Sequence, residues 1–250
     1  MTWWEALAVL AAGVTAGTMN TMVGSGTLVT FPALLAFGYP PVVANVSNTV
    51  GLVPGQLSGS FGYRRELAGQ RTRLIRLGTG SMLGALAGGL LLLTLPASAF
   101  TTIVPVLIGL GCVLVLVQPW VSSRVARRHD PPAHGSVWVW VLVLATGVYG
   151  GYFGAAQGVL LVAILGFGLD ETMQRINAAK NVLALVVNLV AALLFAVVAD
   201  VDWAIAGLIA AGSLVGGMVG ATVGRRLPPM VLRVAIAVVG VVAIWQFSFA

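Results

Sequence analysis

The stretch Asn20-Thr21-Met22-Val23-Gly24-Ser25-Gly26-Thr27 interrupts an apolar run with two glycines and several hydrogen-bonding side chains. Glycine lets a backbone leave helical geometry, and the N–H groups of a helix starting at Thr27 would then face whatever lies in front of them. Such a terminus favours negative charge. Asn20, Gly24, Ser25, Gly26 and Thr27 are therefore candidate contacts for a small anion. A matching stretch, Gly154-Ala155-Ala156-Gln157-Gly158, opens a second apolar run and adds Gln157. Small residues also serve close helix packing in membranes, but the amides and hydroxyls supply polar groups that packing does not need.

A second pair of motifs is Ala44-Asn45-Val46-Ser47-Asn48-Thr49 and Asn177-Ala178-Ala179-Lys180-Asn181. Lys180 is the only lysine in the chain. A segment starting near Thr172 would carry it about 12 Å past the interface. Holding an ammonium there costs about 2.5–3.5 kcal/mol on insertion scales, so it should face a cavity and meet a polar or anionic partner. An anionic substrate is one such partner. The alternatives are snorkelling to the interface or pairing with Asp170 or Glu171. Ser47, Asn48, Lys180 and Asn181 join the candidate substrate contacts. Arg175, nearer those acids, is expected to orient rather than bind. Pro54-Gly55-Gln56 is read as a break in its segment, with Gln56 as a further candidate and Asn188 at comparable depth in the second half. The ladders Gly80, Gly84, Gly88 and Gly212, Gly216, Gly220, Gly224 read as packing faces.

The elements that must hold these residues follow from composition. The 250 residues are 59% apolar and 8% charged, with a mean hydropathy of +1.01. A water-facing surface cannot be covered from such a set, so the solvent is lipid. Lipid admits helices or closed barrels, and the unbroken Leu/Val/Ala/Gly runs lack barrel alternation. The fold class is an all-α polytopic membrane protein. Ten apolar segments are expected, over 3 to 22, 27 to 38, 42 to 62, 77 to 95, 99 to 119, 136 to 153, 157 to 168, 176 to 199, 203 to 224 and 230 to 249. Crossing about 30 Å of hydrocarbon takes about 20 helical residues, so 27 to 38 and 157 to 168 should be half-helices. The single cysteine, Cys112, permits no disulfide within the chain and reads as packing.

The two halves repeat one another. Gly17-x-x-Asn20-x-x-x-Gly24 and Phe37-Gly38 match Gly147-x-x-Gly150-x-x-x-Gly154 and Phe167-Gly168 at an offset of 130, and Gly80 to Pro96 matches Gly212 to Pro228 at 132. Ordered matches imply a duplication. The expected domains are a first half over 1–120, a basic linker over 121–135 and a second half over 136–250. One topology puts all twelve arginines in the cytoplasm, with both termini outside. Each five-segment half then crosses an odd number of times and its partner is inverted, an architecture of secondary transporters. Trp3, Trp4, Trp120, Trp138, Trp140 and Trp203 stand near segment ends, as interfacial belts require.

Taken together, Gly17-x-x-Asn20-x-x-x-Gly24-x-Gly26, Pro32, Gly38-x-Pro40-Pro41-x-x-Ala44-x-x-Ser47-Asn48, Pro54-Gly55 and Tyr63-Arg64-Arg65, with a repeat carrying Lys180, resemble the TauE/SafE family of sulfite exporters. The resemblance covers essentially the whole chain. It implies export of sulfite or a related organosulfur anion across the bacterial inner membrane, by alternating access around a midplane site. An anion channel or a membrane subunit of a larger complex is the alternative. An enzyme is not expected: Ser25 has no intramembrane base, since His129 and His134 lie in the polar central loop. The expected partners are a small anion and the bilayer. No catalytic residue, cofactor, metal or nucleic acid is called for, and no Gly-x-x-x-x-Gly-Lys-[Ser/Thr] pattern supports a pump.

Overall fold

The computed structural model describes residues 1–125 and 136–222, and among these the regular structure is entirely helical. The elements are α1 (Trp3–Met22), α2 (Thr27–Ala36), α3 (Pro41–Gly62), α4 (Arg71–Thr94), α5 (Ala97–Val125), α6 (Val137–Tyr152), α7 (Gln157–Gly168), α8 (Met173–Val198) and α9 (Trp203–Thr222). The expected tenth segment, 230 to 249, lies outside the described residues, as do Arg127, Arg128, Arg225, Arg226, Arg233 and both histidines. α1 opens on a capping box between Thr2 and Glu5. α3 opens with Pro41 in its first turn, where no helical N–H bond is lost. α2 and α7, with 10 and 12 residues, span about 15 and 18 Å and are the two half-helices.

One local expectation fails. Pro54 does not break α3, which runs through it unbroken. The ring removes the partner of the Val50 carbonyl, but α9 lies close enough to compensate: Ser213 Oγ donates to the neighbouring Gly51 carbonyl at 2.8 Å. Adjacent helices commonly support proline in this way in membranes.

Among the described residues, four helices, Arg71–Thr94, Ala97–Val117, Met173–Val198 and Trp203–Thr222, are long and apolar enough to cross a membrane. Large apolar side chains face outward as well as inward, as on α5, where Ile103, Val106, Leu110, Val113 and Val117 form an exposed stripe at helical spacing. Trp3, Trp4, Trp120, Trp138 and Trp203 are exposed near helix ends. This is a multi-pass membrane protein whose outer surface is wetted by lipid.

Inside, glycines set the packing. A Cβ on Gly216 would lie 2.0 Å from the Val14 carbonyl oxygen, and one on Gly88 would lie 2.0 Å from that of Val148. α9 therefore lies directly on α1, and α4 on α6. Gly13 meets Ile209 and Gly212 while Gly220 meets Thr18 and Thr21, so α1 and α9 run in the same sense. Gly51 meets Ala206 and Ile209, and Gly62 meets Ala221, which gives α3 that sense too. In contrast, Asn177 at the start of α8 bonds Tyr63 just past the end of α3, so α3 and α8 run oppositely. Because α1 and α3 are co-directional, α2 runs back between them.

The Gly88→Ala protein should lose about 1–3 kcal/mol to overpacking against a backbone that cannot retreat. Gly78, on the same helix with nothing within 4 Å of a new Cβ, should accept alanine within about 0.5 kcal/mol. Melting curves of the two purified variants check this, and equal losses would contradict the α4–α6 contact.

Candidate functional site

Where α1 stops at Met22, its last carbonyls lose their intrahelical partners inside the protein. α8 supplies replacements. Lys180, fully buried, donates from Nζ to the carbonyls of Asn20 at 2.9 Å and Thr21 at 3.0 Å, and Asn177 Nδ2 donates to Thr21 O at 3.3 Å and to the Tyr63 hydroxyl at 3.0 Å. The duplicated position does the same work in the other half. Asn45, 132 residues before Asn177, donates from α3 to the carbonyl of Tyr152 at the end of α6, at 3.0 Å.

Beyond each helix end a glycine turns the chain. Gly24 has φ +86° and Gly154 has φ +76°, conformations that a side chain disfavours. Gly24 and Gly158 then meet: the Gly158 N–H donates to the Gly24 carbonyl at 3.0 Å, and a Cβ on Gly158 would fall 2.4 Å from Gly24 Cα. The two half-helix tips touch without a side chain between them.

Beside this contact lies a cavity of about 10 Å³, room for about one water molecule. Equivalent residues of the two halves line it in pairs: Gly24 with Gly154, Thr27 with Gln157, and Gln56 with Asn188. Asn20, Gly158, Asn181 and Ala184 complete the wall. Three buried amide atoms there have no hydrogen-bond partner: Gln56 Oε1, Gln157 Nε2 and Asn181 Nδ2. Buried amides are ordinarily paired, so three unpaired ones on one small wall make it the candidate place for a bound polar molecule.

Of the sequence candidates, Asn20, Gly24, Thr27, Gln56, Gln157 and Asn181 come together here. Ser25 and Gly26 lie just behind the wall; Asn20 Oδ1 accepts from the Gly26 N–H at 2.7 Å, and Ser25 Oγ is fully buried without a partner. Ser47 and Asn48 do not reach the cavity. Ser47 Oγ accepts from the Asp202 N–H at 2.9 Å, and Asn48 Oδ1 accepts from the Thr30 hydroxyl. Lys180 is not on the wall either: its ammonium holds α1, and only its stem passes behind Gly158. It neither snorkels nor pairs with Asp170 or Glu171. The half-helix N–H groups are also less free than expected, because Leu28 N bonds Ser25 O and Val159 N bonds Ala156 O. Buried N–H groups without water must find such local partners. Asn188 and Gly154 belong to the wall, and their positions in the repeat were the signal for them.

Toward the ends of α3 and α9, Glu171 joins the halves by bonding Arg73 at 2.9 Å and Arg175. Burial pushes its carboxyl up, but hydrogen bonds and charge from Arg175 and Arg73 outweigh this and hold it below its ordinary value. Arg175 orients the loop, donating also to the Ala68 carbonyl at 3.0 Å.

The tip contact makes a sharp demand. The Gly158→Ala protein should still insert and be purified, while its transport of any substrate falls by at least about tenfold because the tips are wedged apart. Reconstituted transport at matched protein content checks this, and wild-type rates would remove the tip contact from the working site.

The sulfite exporter TauE/SafE family profile matches residues 9–247. A probable membrane transporter protein of Haemophilus influenzae is 28% identical over 240 residues, covering 91% of each chain. The probable membrane transporter protein YfcA of Escherichia coli K12 is 27% identical over 220 residues, 85% of this chain and 76% of that one. A probable membrane transporter protein from Sinorhizobium sp. is 25% identical over 238 residues, 90% of this chain and 87% of the other. With an all-helical membrane fold and a polar cavity between two half-helix tips, the chain belongs to the sulfite exporter TauE/SafE family of membrane transporters.

Proposed function

We propose that this protein is a secondary transporter that exports a small anion, sulfite or a related sulfonate or organosulfur anion, across the bacterial inner membrane. The observation that carries the reading is the cavity where two oppositely entering half-helices meet, lined by equivalent residues of both halves and by three unpartnered amides. Midplane sites between inverted repeats are the common arrangement in secondary transporters.

The halves are residues 1–120 and 136–250, inverted about that cavity and joined by a basic cytoplasmic linker. The opposite senses of α3 and α8, and the partnering of α1 with α9 and α4 with α6, support the inversion. The arginines of 64–76 and Arg175 gather at one end and Asp200 and Asp202 at the other, which supports placing the first end in the cytoplasm and both termini outside. A cavity of about 10 Å³ is too small for sulfite, so the described arrangement is a closed one. Transport then opens the contact to each side in turn. Lys180 acts by holding the α1 tip in place and by placing one positive charge behind the wall, not by direct contact with the anion.

Two experiments test these statements. In a Cys112→Ala background, Asp200→Cys should react with an impermeant thiol reagent on intact cells, and Ala68→Cys only after permeabilisation; both positions are exposed. Reaction of both from one side would sink the inverted topology. In proteoliposomes, sulfite inside should drive counterflow of labelled sulfite, which a channel cannot do. Lys180→Ala leaves the buried Asn20 carbonyl unpaired and Thr21 O with Asn177 alone, at about 1–3 kcal/mol, and should cut counterflow at least about tenfold with insertion retained. Unchanged counterflow would remove Lys180 from the mechanism.

A further inference from the structure

The inventory of the cavity wall is specific. It offers donors, Gln157 Nε2 and Asn181 Nδ2, and it also offers an acceptor, Gln56 Oε1, all three buried and without partners. Among the described residues, no titratable side chain lines it. A fully deprotonated oxyanion carries acceptors only, so it would satisfy the donors and confront the Gln56 oxygen with a second negative oxygen. A buried carbonyl left unmatched is costly, and one facing an anion is worse.

Charge counting points the same way. Among the described residues, Lys180 is the one charged side chain near the cavity, its stem packed behind Gly158 and its Nζ on the Asn20 and Thr21 carbonyls. Of the other charged groups on the packed elements, Arg73, Glu171 and Arg175 are engaged with one another at the loop, Arg71 and Arg76 stand in the first turns of α4, and Glu5 caps the start of α1. A protonated Lys180 offsets one negative charge. A second would stand uncompensated in a region shielded from water, where the interaction of charges is strong and desolvation is expensive.

We propose that the cavity selects its anion in the protonated, singly charged form: a hydrogen-bearing oxyanion such as hydrogensulfite, whose O–H donates to Gln56 Oε1 while its other oxygens accept from Gln157 Nε2 and Asn181 Nδ2. This rests on the transport reading above and names the species that it moves. Sites that hydrogen-bond a ligand hydroxyl discriminate strongly against analogues lacking it, because the site's own polar group is then left bare.

The test is the apparent Kd of sulfite for the purified full-length protein, from thermal stabilisation, across a pH series spanning the ligand's own titration near neutrality. Methanesulfonate, whose single charge is fixed over that range, lacks the O–H and should bind more weakly; titrated to higher concentration, its Kd reports titration of the protein. The sulfite Kd should be flat on the acidic side and rise about tenfold per pH unit on the basic side, while that of methanesulfonate stays constant. A sulfite Kd that stays flat or falls with rising pH overturns the protonated-form assignment but leaves transport standing. A parallel rise for methanesulfonate assigns the slope to the protein and also overturns it. Gln56→Leu should weaken sulfite binding about tenfold on the acidic side and erase most of the slope, and a retained slope removes Gln56 as the reader of the proton. Absence of both binding and counterflow for either anion overturns the transport reading itself.

Discussion

A helix that ends inside a membrane protein leaves its last carbonyls bare, and hydrocarbon has nothing to give them. Much of this structure follows from that debt at Asn20, Thr21 and Tyr152. The donors come from the neighbouring long helices: Lys180 and Asn177 on α8 for the end of α1, Asn45 on α3 for the end of α6. Each half therefore finishes the broken helix of the other. The arrangement ties the halves together at the depth where the backbone turns, and it leaves the short helices α2 and α7 aimed at one another.

Close approach is the second constraint, and it depends on the first. The tips can meet only if the long helices beneath them are also close, and the glycine contacts of α1 with α9 and of α4 with α6 bring backbones within van der Waals reach. At the tips themselves Gly24 and Gly158 leave no room for a methyl group. What remains is a small polar space whose walls come from both halves. A site at such a seam changes shape whenever the halves move relative to each other, which is what alternating exposure needs.

Much of this was legible in the sequence. Membrane class followed from composition, the two half-helices from segment length, and the pairing of Gln56 with Asn188 and of Asn45 with Asn177 from the repeat. The use made of individual polar side chains was harder to read. Lys180 sits eighth in α8, a depth that demands a partner but does not say whether the partner is a ligand or a carbonyl; that choice depends on where α1 ends in space. Ser47 and Asn48 share a helix with Gln56, yet they lie toward the Asp202 end and serve a backbone N–H and Thr30. Pro54 looked like a break because its cost is local, whereas the neighbouring support at Ser213 is 159 residues away in sequence.

The position of Lys180 also changes what kind of recognition the site performs. A lysine on the cavity wall would bind anions by direct ion pairing, with little regard to their hydrogen-bonding pattern. Placed behind the backbone, it supplies a background of positive potential through the two carbonyls that it holds, and leaves the wall to amides. Amides read shape and hydrogen-bond direction, since each carries both donor and acceptor at fixed geometry. On the proposed reading, the lysine sets how much charge the site tolerates, and Gln56, Gln157 and Asn181 set which anion of that charge fits. Separating the two roles between a buried cation and a neutral wall would let the proposed anion be held without an ion pair that resists its release.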